Sequence, residues 1–252
     1  MALPQPKTHA VHYPESDGKP MAETPYHLEA MLYLIAALQA YFAQRPDVYV
    51  AGNQFLYWVE GNPKQRVAPD VYVAFGVPKT PLLPTWKVWE VGKAPDVIME
   101  VTSRSTAPED LGRKYALYQR LGVKEYFLID VTREYLVEPV VLYRLQGKEY
   151  VRVLPEVTER EWRVYSEQLG LYVCVRWENE RYRVRLYDPA ASRYLPTLEE
   201  EARRAQEEAR RAEEEARRAE EEARARAQAE ARLRELEEEL KRLKGNSNSS
   251  EH

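Results

Sequence analysis

Apolar and polar positions along most of the chain switch between strand and helix periods, and towards the C-terminal end they lose strand character altogether. The clearest succession lies in residues 94–130, APDVIMEVTSRSTAPEDLGRKYALYQRLGVKEYFLID, which reads as strand, helix, strand. Residues 95–101 are apolar except at Asp96 and Glu100. Strand side chains alternate faces, so Asp96, Ile98 and Glu100 share one face and Val97, Met99 and Val101 the other. Apolar residues on both faces predict a buried strand. Glu100 is then a carboxylate at the edge of a core, where charge is costly unless paired or bound to metal. Thr106 and Glu109 have capping-box spacing and open a helix, and Gly122 closes it. At ~100° per residue, Leu111, Tyr115, Tyr118 and Leu121 form its apolar stripe. Lys114 falls inside that stripe, with Asp110 one turn earlier. A lysine there snorkels, pairs with an acid, or serves a site.

The flanking segments obey the same logic. Thr24-Pro25 opens a helix with Thr24 as cap and Pro25 in its first position. Leu28, Met31, Leu32, Ile35, Leu38 and Phe42 make its predicted apolar face, with His27 at the edge as a capping or packing residue. Strand-like runs occupy 48–51, 54–59 and 66–75. The last two form a predicted antiparallel hairpin around the turn-forming residues 60–65. Asp70 comes directly after Pro69, where the second apolar run begins. Residues 77–92 read as a packed loop. Further strand-like runs occupy 126–131, 135–145, 149–154, 160–164, 171–177 and 181–187, and 135–145 with 149–154 reads as a hairpin around Gln146-Gly147-Lys148. Arg181, Arg183 and Arg185 alternate on one face of the last of these, which reads as a solvated edge.

From Glu200 the chain repeats EEARRAQ, EEARRAE, EEARRAE. Ala202, Ala205, Ala209, Ala212, Ala216, Ala219 and Ala223 keep the 3-4 spacing of a heptad seam. Leu233, Leu236, Leu240 and Leu243 resume it in a shifted frame. Glu207 and Arg211, like Glu214 and Arg218, are i,i+4 pairs in the favourable order. A charge-paired single helix and a coiled coil both fit, and the leucines favour the coiled coil. The expected organisation is an irregular arm over 1–23, a folded domain over 24–197, a charged alanine-rich helix over 198–244, and a disordered end over 245–252.

Charge alters the picture only after it is divided. Of 37 Lys+Arg and 41 Asp+Glu, residues 1–198 hold 24 of each, so the net charge of −4 belongs to the tail. The folded part is not a broadly basic nucleic-acid binder. One cysteine, Cys174, excludes a disulfide framework or a cysteine metal cluster and fits a reducing, cytoplasmic compartment. No stretch has the length and apolarity of a membrane span.

Several motifs, taken in order, resemble the Uma-type family of putative restriction endonucleases, a branch of the PD-(D/E)XK nuclease superfamily. They are Ala68-Pro69-Asp70, then Pro95-Asp96-Val97-Ile98-Met99-Glu100-Val101-Thr102-Ser103, then Asp110, Lys114 and Tyr118, then Gly122-Val123-Lys124-Glu125-Tyr126. Val184-Arg185-Leu186-Tyr187-Asp188-Pro189 and the charged tail add to the likeness. The resemblance implies an α+β fold: a restriction-endonuclease-like mixed sheet flanked by helices, continued by a long C-terminal helix. It implies a metal-dependent endonuclease acting on DNA. Asp70 and Glu100 would be the two acids, and with the Val101 carbonyl they would hold Mg²⁺, with Mn²⁺ as substitute. The superfamily lysine two residues after the second acid is Thr102 here, and Lys114 would replace it. His27, Asp96, Thr102 and Asp110 are second-tier candidates. Double-strand cleavage implies a homodimer, through the domain, the coiled coil or both. A catalytically silent nuclease fold acting as a scaffold through its coiled coil is the competing expectation.

Overall fold

The computed structural model describes residues 11–16, 24–103 and 106–247. Most of the arm at 1–23, the end at 248–252 and the side chains of Leu240 and Leu243 lie outside the described residues. The chain divides into two units, Met1–Thr197 and Leu198–His252.

In the first unit the elements are α1 (Pro25–Tyr41), β1 (Val48–Ala51), β2 (Leu56–Tyr57), β3 (Arg66–Val67), β4 (Val71–Phe75), β5 (Trp86–Lys87), α2 (Val88–Val91) and β6 (Val97–Val101). Then come α3 (Ala107–Glu109), a π-helical turn at Asp110–Lys114, α4 (Tyr115–Leu121), β7 (Glu125–Ile129), β8 (Val140–Gln146) and β9 (Glu149–Val153). The remainder is β10 (Glu156–Val157), β11 (Glu161–Ser166), β12 (Leu171–Glu178), β13 (Arg181–Asp188) and β14 (Arg193–Tyr194). Six strands form a mixed sheet in the order β1-β4-β6-β7-β8-β9, with β6 and β7 parallel and the other pairs antiparallel. β10 to β14 form an antiparallel second sheet, and β3-β2-β5 a small third one. The architecture is α+β with mixed sheets, as the family resemblance implies.

β6 is the centre of this arrangement. All five of its residues are buried. Val97, Met99 and Val101 join a core with α1 and the second sheet, while Ile98 joins a core with α4 on the opposite face. Leu34 and Leu38 of α1 are wholly buried in the first core, worth about 1.5–3 kcal/mol each. The Tyr33 hydroxyl donates to the Leu195 carbonyl (3.1 Å) and accepts from the Leu186 amide (3.0 Å), tying α1 to the second sheet.

The packing corrects several expectations. Leu28 and Leu32 are exposed, and the buried face of α1 runs through His27, Ala30, Met31, Tyr33, Leu34, Ala37 and Leu38. Alanines on that face let the helix sit close to its neighbours, which a search for large apolar residues overlooks. The 66–75 run splits into β3 and β4 in different sheets, and residues 86–91 form β5 and α2 rather than loop. β13 is an interior strand. Arg181 and Arg183 reach Glu29 of α1, and Arg185 is buried against Glu178, so this face is packed rather than solvated.

The second unit contains α5 (Leu198–Ser247), a helix of 50 residues. Its alanine positions are exposed, as are Leu233 and Leu236. Ion pairs such as Glu207–Arg211 and Glu220–Arg224 run along it, each solvent-exposed and worth little individually. Among the described residues, no helix is long and apolar enough to cross a membrane.

Asp96 sits just before β6, at the end of the strand remote from Glu100. It accepts from the Phe75 amide (2.8 Å) and pairs with Lys93 (2.5 Å) and Lys124 (2.9 Å), joining the ends of β4, β6 and β7. Burial works against its charge, but the two lysines and the amide outweigh it and hold the carboxyl below the ordinary aspartate value. A depressed carboxyl stabilises the fold above its unfolded pKa and loses that contribution as pH falls through the folded one. Asp96→Asn should therefore cost about 1–3 kcal/mol at pH 7 by urea unfolding. The gap from wild type should narrow below about pH 4.

Candidate functional site

The site forms where β4 begins and β6 ends. Val71 lies opposite Met99 in the antiparallel β4–β6 pair, so Asp70 comes opposite Glu100. The Val101 amide donates to Asp70 Oδ2 (2.7 Å), and the Asp70 amide approaches Glu100 Oε2 (3.4 Å). His27, in the first turn of α1, places Nε2 3.3 Å from Asp70 Oδ1. The Thr24 cap accepts from the His27 amide and fixes that turn.

The helical side of the site differs from its expected form. Thr106 makes no side-chain cap; its hydroxyl accepts from the Ser103 amide, and Glu109 pairs with Arg113. The π turn adds a residue to the helix and rotates the residues beyond it. Leu111 is thereby exposed and Leu117 buried, against the regular 100° projection. Asp110 and Lys114 both turn inward and are both buried. Lys114 Nζ lies 2.9 Å from Glu100 Oε2 and 2.9 Å from Asp110 Oδ1. From the strand side, the Tyr126 hydroxyl donates to the Asp110 carbonyl (3.0 Å), which supports the wide turn.

Glu100 is 1% exposed, and its two oxygens are held differently. Oε1 accepts from the Tyr118 hydroxyl at 2.8 Å, and Oε2 faces Lys114. Burial pushes its carboxyl up to about 8, opposed by Lys114 and reinforced by the Asp70 and Asp110 charges. Burial also raises Asp110, again opposed by Lys114. For Lys114, burial disfavours the ammonium, yet the Glu100 and Asp110 carboxylates override it and hold the amine protonated well above its usual range. Tyr118 is driven far upward by burial and then by Glu100, so its hydroxyl stays a donor.

Asp70, Glu100, Lys114, Asp110, His27 and the Val101 amide thus come together. Thr102 is next to them: its amide donates to the Ile129 carbonyl, and its hydroxyl is buried without a hydrogen-bond partner among the described residues. Asp96 stands apart, four strand residues or about 13 Å from Glu100. Sequence reasoning missed two contributions: the hydroxyl of Tyr118 as the partner of Glu100, and Gly52. A Cβ on Gly52 would lie 2.0 Å from the Asp70 carbonyl oxygen and 2.8 Å from Ile35 Cδ1. Glycine therefore lets the chain after β1 pass against Asp70, where the Asn53 amide bonds the Pro69 carbonyl. Nothing in the sequence distinguished Gly52 from an ordinary turn glycine.

Among the described residues, no group of three or more His, Cys, Asp or Glu side chains has a metal-holding arrangement. The donors that do converge are carboxylates, hard ligands suited to Mg²⁺ or Mn²⁺. Asp70, Glu100 and Asp110 bring three carboxyl groups to the ammonium of Lys114, and burial keeps Glu100 largely protonated near neutral pH. A divalent cation would favour its ionised form as a ligand.

Gly52→Ala should lower stability by about 1–3 kcal/mol in thermal or urea melts, because a backbone oxygen must move. Gly112→Ala, where a Cβ meets nothing within 4 Å, should be neutral or slightly stabilising. Equal stability of the two variants would contradict the close approach at Asp70.

No curated protein matches the chain. Among solved structures, a protein from Anabaena variabilis ATCC 29413, described as a putative nuclease belonging to DUF820, is similar at 15% identity. The match covers 62% of this chain and 81% of that one, with a TM-score of 0.42. The family model of Uma2, described as "Putative restriction endonuclease", matches residues 1–173, more than half of the sequence, and the chain belongs to that family.

Proposed function

We propose that the protein is a metal-dependent endonuclease that hydrolyses DNA phosphodiester bonds. The observation that carries this reading is the convergence of three carboxyl groups at the end of β6: Glu100 and Asp110, both buried and both on Lys114, and half-buried Asp70 opposite Glu100. Family membership supports the nuclease class. Asp70, Glu100 and the Val101 carbonyl would hold Mg²⁺, or Mn²⁺ in its place. When bound, the ion supplies a water of lowered pKa and offsets charge on the scissile phosphate.

The chain's own residues have separable roles in this proposal. Tyr118 fixes one oxygen of Glu100 and leaves the other edge of the carboxylate to the site. His27 orients Asp70 from the α1 side. Lys114 stays protonated and presents a positive charge where negative charge builds in the transition state. Asp110 aims that ammonium. Residues 24–197 would form the nuclease domain of a cytoplasmic protein. Residues 198–244 would assist assembly as a coiled coil, giving a homodimer with two sites for two DNA strands.

Lys114→Ala should reduce plasmid nicking with Mn²⁺ by ~10²–10³. Calorimetric Mn²⁺ binding should persist, since an ammonium is not a ligand. The same change leaves two buried carboxylates without their cation, at a cost of about 3–5 kcal/mol. Nicking is therefore compared well below each melting point. Glu100→Gln should abolish Mn²⁺ binding and nicking while raising the melting temperature in EDTA at pH 7, because it removes a carboxyl that ionises more readily in the unfolded chain than in the fold. Nicking by Glu100→Gln at the wild-type rate would falsify the assignment.

Sedimentation should show a dimer for the full chain at tens of micromolar. It should show weaker association for a chain ending at Thr197. A full-length monomer would remove the two-site arrangement.

A further inference from the structure

The β7–β8 loop and the end of the β12–β13 hairpin carry an exposed group that the carboxylate site does not use. Arg133 stacks its guanidinium over Trp162 (4.3 Å to the ring centroid) and Tyr182 (5.2 Å), and Nη1 donates to the Tyr182 hydroxyl at 2.9 Å. Tyr182 in turn packs edge-on against its cross-strand neighbour Trp177 (4.9 Å), which is 49% exposed. Arg133 is exposed, and among the described residues no carboxylate pairs with it.

The group is held in place rather than draped on the surface. Asp130, wholly buried, accepts from the amides of Thr132, Arg133, Tyr135 and Leu136 and from the Thr132 hydroxyl. Arg133 takes a left-handed φ of 60°, a conformation that costs a non-glycine residue energy and that persists where surroundings impose it.

Its position relates it to the site in two ways. Val101 pairs with Ile129 in the parallel β6–β7 ladder, so the Asp130–Arg133 turn leaves the sheet at the same end as Glu100. From the other side, Glu29 of α1 holds Arg181, the neighbour of Tyr182 (2.6 Å), two residues after His27 meets Asp70.

Resting on the nuclease reading, we infer that Arg133, Tyr182 and Trp177 form a platform for an unpaired segment of the substrate DNA strand, a base stacking on Trp177 and a phosphate meeting Arg133. Intact duplex keeps its base faces stacked inside and offers phosphates and groove edges outside. Its tight binders neutralise many phosphates at once. Residues 1–198 have equal numbers of acids and bases, and one guanidinium beside one exposed ring, that of Trp177, is the wrong equipment for that. It suits single-stranded DNA, where ring stacking supplies the affinity. The favoured substrate is therefore DNA with unpaired nucleotides beside the cleavage point.

The test is fluorescence anisotropy of the full-length protein in EDTA, with labelled oligo-dT of about 20 nucleotides and a duplex of equal length as probes. Wild type should bind oligo-dT more tightly than duplex. Trp177→Ala and Arg133→Ala should each weaken oligo-dT binding about tenfold, with Trp177→Phe restoring most of it. Melting curves accompany each variant, and Arg133→Lys separates loss of stacking from loss of charge. Oligo-dT binding within twofold of wild type in both alanine variants overturns the platform. So does equal wild-type affinity for duplex and oligo-dT, or absence of binding to either. Cleavage is measured separately with Mn²⁺. Platform-dependent binding without any cleavage sinks the nuclease reading and leaves the platform standing. Cleavage indifferent to Trp177 and Arg133 sinks the platform alone.

Discussion

The rest of the site depends on how a nearly inaccessible carboxylate is kept in the core. Glu100 lies on a strand buried on both faces, where an isolated charge would not survive. Three groups address it: an ammonium from the π turn, a phenol from α4, and a backbone amide from the adjacent strand. Burial above all, reinforced by the Asp70 and Asp110 charges, still pushes its carboxyl up to about 8 against the pull of Lys114. Apolar replacement of a buried ionic cluster is often neutral or stabilising, and a carboxyl perturbed in this way makes the cluster a candidate functional site.

The surrounding architecture supplies rigidity to that cluster. The mixed sheet is covered by α1 and the second sheet on one face and by α4 on the other, so β6 has little freedom to shift. Glu125, at the start of β7, accepts from the Ser166 hydroxyl and from the Glu167 amide (2.9 Å) and pairs with Arg144 (3.1 Å), locking the two sheets together. Asp96 ties strand ends together at the opposite end of β6 from Glu100. Two conspicuous acids on one strand thus do different work. Asp96 has two lysines and an amide, so its charge is satisfied by the fold; Glu100 has one lysine shared with Asp110.

The element pattern was legible because burial on two faces and amphipathic periods are local properties. The strand at β6, the Thr24-Pro25 helix start, the Gly122 stop and the hairpin at β8–β9 arise from residue type and spacing. Lys114 stood out for the same reason, as a charge within an apolar stripe. The sequence could not convey geometry that departs from the regular helix or depends on distant partners. The π turn between Asp110 and Lys114 moved Leu111 to the surface and Leu117 inside. Arg181, Arg183 and Arg185 have the alternation of a solvated face, yet Glu29 and Glu178 lie across from them.

The sequence by itself determined which residues could carry chemistry, since acids on apolar strands and a lysine in a helix stripe are written in local order. Only the tertiary structure decided which of them share a site. Asp70 and Glu100 meet because β4 and β6 pair in one antiparallel register, and Gly52 matters because another segment crosses Asp70 with no room for a side chain. Register and close approach join residues far apart in the chain, and no local pattern encodes a distance between them.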